Sequence, residues 1–323
     1  MLFLYLCEAF EVSDSIRIMC KQTKHLYIIG NGFDLHHDMK TDYQEFYRWV
    51  TENDYDAYTA IIENFEDCSC EWWKHFEQNL AFADTFQITT EEVAENYPDF
   101  GSDDFRDANW DNAEYAVEYR LEKVYSTIRK AFHNWIGQLK GGNPDKKIKI
   151  EIDNAIFLNF NYSHTLQDMY NISEEKIFYI HGKAGTQDEL VLGHGRSNED
   201  IKAEMKKNEP PGNYDEEWNG LVAQRAKDAA ISVVCSQRKE VYEIIKAHKD
   251  WFESLNDVSH IHLYGHSLGE VDLPYFHEIL SSVDKHTVDI EVSDFQGKNK
   301  KAIESFMAKE GITRYRIIEL NDF

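Results

Sequence analysis

The chain has 323 residues, 42% of them hydrophobic and 14% aromatic, which suits one large α/β domain with insertions, or two domains. Its 34 basic residues stand against 59 acidic ones, and the net charge of −25 speaks against sequence-blind nucleic-acid binding and against anionic membranes, since both need basic surface. No apolar run approaches the ~18 residues that a transmembrane helix needs. The cysteines, Cys7, Cys20, Cys68, Cys70 and Cys235, are odd in number and form no framework, so incidental thiols, a reducing cytoplasmic setting and no metal are expected.

In chain order, residues 1–20 read as a leader or an extra strand. Met1–Leu6 is apolar but lacks the basic start and cleavage site of a signal peptide, and a start at Met19 would still leave a whole domain. A buried strand is predicted at Leu26–Ile29, running into Gly30-Asn31-Gly32-Phe33-Asp34. Thr41 and Gln44 have the spacing of a capping box ahead of Phe46, Trp49 and Val50. Residues 42–144 read as a helical insertion with core stripes Trp72/Phe76/Leu80 and Ala131/Trp135/Leu139, interrupted by an acidic loop at Asp103–Asn112. Gly141-Gly142-Asn143-Pro144 turns the chain back to the sheet.

Strands are expected at Ala155–Phe160, Ile177–Ile180 and Leu190–Leu192, with a helix at Thr165–Tyr170. A second helical insertion follows at 196–255, broken at Pro210-Pro211-Gly212, with helices over Leu221–Ala230 and Val241–Phe252. The tail reads β-α-β-α-β: strands Ser259–Tyr264, Val288–Val292 and Tyr315–Leu320, a helix opened by Pro274, and a helix over Lys301–Lys309. Near-continuous apolar strands argue for a Rossmann-like, doubly wound, mainly parallel sheet built from 21–41, 145–195 and 256–323, with its strand order switching beside Gly30–Asp34.

Polar clusters follow the strands. Gly30 and Gly32 read either as a phosphate-cradling turn or as a tight turn capped by Asp34, an acid that also suits a ribose hydroxyl. Asn161 ends its strand as a turn residue or a ligand-binding one, and His181 as a structural histidine or a general base. Gly265-His266-Ser267-Leu268-Gly269 matches the nucleophile elbow of serine hydrolases, but the order serine, acid, histidine fails, because no histidine follows Asp294. The fourteen histidines offer no metal-ligand spacing and read as scattered.

Ile29-Gly30-Asn31-Gly32-Phe33-Asp34-Leu35-His36, with Lys40-Thr41, Tyr43 and Phe46, closely resembles the hallmark of the AbiH family of bacterial abortive-infection proteins. An aromatic-acid helix like Trp73–Leu80, Phe160-Asn161-Tyr162, His181-Gly182, and Gly265-His266-Ser267-Leu268 with Asp272 extend the likeness to about residue 320. Asp38 stands where the family commonly has glycine. AbiH proteins in turn resemble sirtuin-type NAD-consuming domains, which carry similar clusters in the same order; Asp34 and Ser163 depart from that pattern.

The resemblance implies phage defence through binding and hydrolysis of NAD or a related nucleotide, with His181 as base and Asn161 orienting water or ribose. It implies nucleotide contacts from Gly30, Asn31, Gly32, Asp34, Ser163, Gly265, His266, Ser267 and Asp272, with Ser293 or Asp294 meeting the adenosine ribose. A non-catalytic nucleotide-sensing module and a serine hydrolase using Ser267 are the alternatives. The partners implied are the nucleotide and a phage-derived trigger or protein, with room for a homo-oligomer.

Overall fold

The computed structural model describes residues 24–99, 101–186, 190–207 and 217–320. The leader and Pro210-Pro211-Gly212 lie outside them. Six strands form one sheet: β1 Lys24–Ile29, β2 Ala155–Asn159, β3 Ile177–Tyr179, β4 Val258–Tyr264, β5 Asp289–Ser293 and β6 Tyr315–Ile318. All are parallel, in the order β3-β2-β1-β4-β5-β6. The chain steps outward from β1 through β2 to β3, then restarts at β4 on β1's other side. The switch point therefore lies between β1 and β4, beside Gly30, as expected.

Leu190–Leu192 is not a strand. The segment is held instead by Val191 N–H donating to the His181 carbonyl at 2.9 Å and by a bridge between His194 and Arg238. Gly193 lies against the chain there: a Cβ would stand 2.1 Å from the Gln237 carbonyl oxygen.

One face of the sheet buries Leu26, Ile28, Ile261, Leu263, Ile290 and Val292 beneath the helices Leu273–Ser282 and Lys300–Glu310. On the other face, Tyr27, Ile29 and Phe157 pack under Phe33 and Leu166. Over β4–β6 this second face is polar, which departs from the expectation of strands buried on both sides. His260, His262, Asp289, Glu291 and Arg316 alternate with apolar residues along their strands. Arg314 grips Asp289 with two hydrogen bonds of 2.8 and 2.7 Å, Glu291 takes Arg316 and Tyr264, and the His25 ring stacks on His260 and His262. These histidines are gathered rather than scattered.

The insertions are helical, as expected. Phe46, Trp73, Phe76, Phe132 and Trp135 of the first share one core with Val222, Ala226, Ala230 and Val234 of the second. Local details differ. Asp42, not Thr41, caps the first helix, its carboxylate accepting from Glu45 N–H at 3.0 Å, because Thr41 stands one residue too early. The stripe Trp72/Phe76/Leu80 is split at His75 between two short helices, though all three side chains stay buried. The acidic loop closes with a 3-10 turn, Asp107–Asp111, that leads into the long helix Asn112–Gln138. Asp38 makes the turn before Thr41 at φ +61°, a conformation that glycine takes without strain, and is held by Asn143 at 2.9 Å and Lys146 at 2.5 Å.

Candidate functional site

The carboxyl ends of β1 to β5 bring Gly30–Asp34, Phe160–Ser163, His181, Gly265–Gly269 and Ser293-Asp294 to one edge of the sheet, the edge where open α/β folds bind ligands. The β1 and β4 turns cross in contact. Gly32 N–H donates to the Gly265 carbonyl at 2.8 Å. A Cβ on Gly30 would lie 2.7 Å from His266 Cα, and one on Gly265 only 2.0 Å from the Phe33 nitrogen. Gly265 also takes φ +73°. The glycines are thus required by two main chains touching. The Gly32 amide, expected to face a phosphate, is engaged by the protein instead. Asn31 likewise turns its amide to the Thr41 carbonyl at 3.2 Å.

Asp34 is buried, and its oxygens accept from Ser163 Oγ at 2.5 Å and Thr165 Oγ1 at 2.6 Å. Burial pushes its carboxyl up to about 6, against the hydrogen bonds from Ser163, Thr165 and Asn161. Asn161 Nδ2 donates to the Gly30 carbonyl at 3.0 Å, so the Asn161 amide ties the β1 turn to the end of β2. Asp34 and Ser163 are taken up by the same tether. Ser293 Oγ accepts from Gly265 N–H at 2.8 Å, another structural bond. Asp294 differs: Oδ1 accepts from Asn299 N–H at 2.9 Å, while buried Oδ2 has no partner.

His181 stands at the centre. It is 3% exposed, walled by the rings of Phe160, Tyr162 and Tyr275 at 5.3, 6.3 and 5.8 Å between centroids. The ring hydrogen-bonds the Phe160 backbone, and Nε2 is without a partner among the described residues, so Nδ1 carries the proton and Nε2 presents a lone pair. Burial, then the Lys239 charge, lower its pKa to about 3.

Asp272 Oδ1, also unpartnered, lies 3.8 Å from His181 Nε2, too far for a hydrogen bond. Its other oxygen is 3.3 Å from His266 Nε2, and His266 Nδ1 accepts from Leu268 N–H at 3.0 Å, which puts the His266 proton on the atom facing Asp272. Burial opposes the Asp272 charge, but the His266 hydrogen bond and the Lys239 charge hold its carboxyl well below the usual range. The Tyr275 hydroxyl is a third unpartnered group in this cluster.

Three members of the cluster were not expected there. Lys239, Glu77 and Tyr43 come from the insertions. The buried Lys239 ammonium pairs with Glu77, and Glu77 also accepts from the Tyr43 hydroxyl. Tyr43 and the Glu77 segment were visible as part of the hallmark and the aromatic-acid helix, but nothing in the sequence marked Lys239.

Ser267 does not form a nucleophile elbow. It is exposed, and the left-handed residues are Gly265 and Leu268 on either side of it rather than the serine.

The buried histidines set an acid limit on stability. Burial lowers the pKa of His181, His37 and His194 below 6.5 in the folded chain. Below pH 6.5 the unfolded chain takes up protons that the folded one refuses, so this contribution is present above pH 6.5 and lost as pH falls. His181 alone loses about 2 kcal/mol by pH 5, and protonation of Asp34, whose folded pKa is raised, offsets about 1 kcal/mol over the same interval. The urea midpoint is expected to fall from pH 7 to pH 5, and less steeply in His181→Gln. Equal slopes in the two proteins would show that His181 carries no such burden.

Comparison with known proteins places this geometry in a family. The profile of the family described as Bacteriophage abortive infection AbiH matches residues 26–294, from β1 to Asp294, and so takes in every cluster on the edge. Neither a search of curated proteins nor a search of solved structures found a match. With its profile running over well more than half of the chain, the protein belongs to the AbiH family of bacteriophage abortive-infection proteins.

Proposed function

We propose that the edge around His181 binds and hydrolyses NAD or a related nucleotide in the course of abortive infection. The observation that carries the reading is the pair of buried, unpartnered acceptors, His181 Nε2 and Asp272 Oδ1, 3.8 Å apart at the switch point. A water molecule between them would donate one hydrogen to each, and a ribose hydroxyl would donate its one hydrogen to either, relieving buried groups that are otherwise costly. The neutral imidazole then takes the proton as water oxygen bonds to the riboside carbon and the bond to nicotinamide breaks. The proton passes from His181 to solvent, leaving ADP-ribose and nicotinamide. Two carboxylates, Asp272 and Glu77, against one ammonium, Lys239, also suit a positively charged nicotinamide ring and the positive charge that develops on the ribose. Asp294 Oδ2 offers a further acceptor for a ribose hydroxyl.

Incubating the pure protein with a nucleotide panel and following the products by mass spectrometry tests this. Release of nicotinamide by the wild type but not by Asp272→Asn supports it; an unchanged panel counts against it. The burial of His181 and the engaged Gly32 amide favour a second reading, a sensing module that binds a nucleotide without turnover. Calorimetric binding with an unchanged ligand would select that reading.

A further inference from the structure

We infer that Lys239 is a positioning residue of the His181–Asp272 site, delivered by the second insertion and clamped by Glu77 of the first, so that the two insertions and the acceptor pair form one connected unit. The inference deepens the proposed site and rests on its location at His181. Lys239 follows the helix Glu217–Ser236, and its placement is tightly fixed. Its N–H donates to the His194 carbonyl at 2.9 Å, and His194 N–H donates to the Gln237 carbonyl at 3.2 Å. Arg129 of the long helix holds Gln237 Oε1 at 2.5 Å, and the contact at Gly193 leaves no room for a side chain. Upstream, Val191 is bonded at both ends of its peptide: its N–H to the His181 carbonyl, its carbonyl to the Tyr162 hydroxyl, each at 2.9 Å. A short run of main chain therefore links the His181 backbone to the Lys239 backbone.

The side chain completes the circuit. The Lys239 side chain is 4% exposed, and its ammonium pairs with Glu77, which stands on the four-residue helix Phe76–Asn79 and is also bound by Tyr43. An ammonium enclosed in this way needs compensation, and Glu77 alone is on the insertion side. Asp272 supplies the other negative charge acting on Lys239, from the sheet side. Glu77, Asp272 and His181 interact with its charge, and Tyr43 and Tyr162 near Glu77, with His266 and Tyr275 near Asp272, complete the titratable cluster. A partner that shifts either insertion would move the ammonium relative to the acceptor pair. That is a physical route by which a phage component could alter the site without touching it.

The test reads the His181 ring directly, so it does not depend on nucleotide turnover. In full-length protein with labelled histidine, the His181 resonance is identified by its loss in His181→Gln and titrated by NMR from pH 8 to the onset of acid unfolding. Lys239→Met should move the His181 midpoint up by on the order of one pH unit, because a like charge has been removed. Lys239→Arg should restore it. Glu77→Gln, which frees the ammonium from its clamp, should change the ring-nitrogen shifts of the neutral His181 at pH 7, so the inference remains testable if Lys239→Met does not fold. A folded Lys239→Met protein whose His181 ring-nitrogen shifts at pH 7, where the ring is neutral, and whose His181 titration both match the wild type overturns the inference and leaves the hydrolase reading standing. The expected shifts in a protein that turns over no nucleotide would sink the hydrolase reading alone.

Discussion

His181→Ala is expected to lower nucleotide turnover roughly 100- to 10,000-fold, the usual contribution of a positioned general base. Nucleotide affinity should stay within about tenfold, because the imidazole acts on the reacting group and is not the main anchor of the ligand. Asp272 and Asp294 would remain to hold the sugar. The same substitution removes a buried ring packed among Phe160, Tyr162 and Tyr275, and truncation of a large core side chain typically costs about 3 kcal/mol or more. Turnover and urea stability are therefore measured on the same preparation, with His181→Gln as the better-packed companion. Loss of turnover in a folded His181→Gln protein supports the base. Full activity in His181→Gln would remove His181 from the chemistry and leave nucleotide sensing as the better account.

Much of the scaffold was legible because each feature leaves a local pattern. The Ile-Ile run before Gly30, the apolar run before Asn161 and the Pro274 helix start each occur where the structure has a strand or helix, and the strand-end position of His181 placed it on the functional edge. The polar face of β4–β6 was legible too, in the alternation His260-Ile261-His262-Leu263 and Asp289-Ile290-Glu291-Val292, but the apolar half of each pair dominated the reading. Leu190–Leu192 misled because a short apolar run is the same whether it pairs in a sheet or lies against a turn. The roles of individual polar residues were the least legible. Asn161, Ser163 and Asp34 carry the residue types of a ligand site, yet they bond to one another and to the Gly30 carbonyl. Lys239 was invisible for the opposite reason. It is one lysine among many, and only the folding of two insertions around it makes it part of the site.

The largest stability effect is expected at Gly265, and it bears on what the glycine motifs are for. Gly265→Ala places a Cβ 2.0 Å from the Phe33 nitrogen and 2.5 Å from the Gly32 carbonyl carbon, both main-chain atoms that cannot turn aside. It also puts a side chain on a residue at φ +73°. The left-handed conformation alone costs about 1–2 kcal/mol, and overpacking adds about 1–3 kcal/mol, so a total of roughly 2–5 kcal/mol is expected, a large share of the stability of an ordinary domain. Gly311→Ala is the control that separates the two terms. Gly311 has nearly the same φ, +72°, but no described residue lies within 4 Å of its added Cβ, so only the conformational part, about 1–2 kcal/mol, should appear in its urea midpoint. Equal losses in the two variants would mean that the β1 and β4 turns do not touch as described. A much larger loss at Gly265 would tie the glycines of both motifs to the crossing of two chains at the switch point. That crossing carries His266 against Asp272 and so sets the position of the acceptor pair on which the proposed chemistry depends.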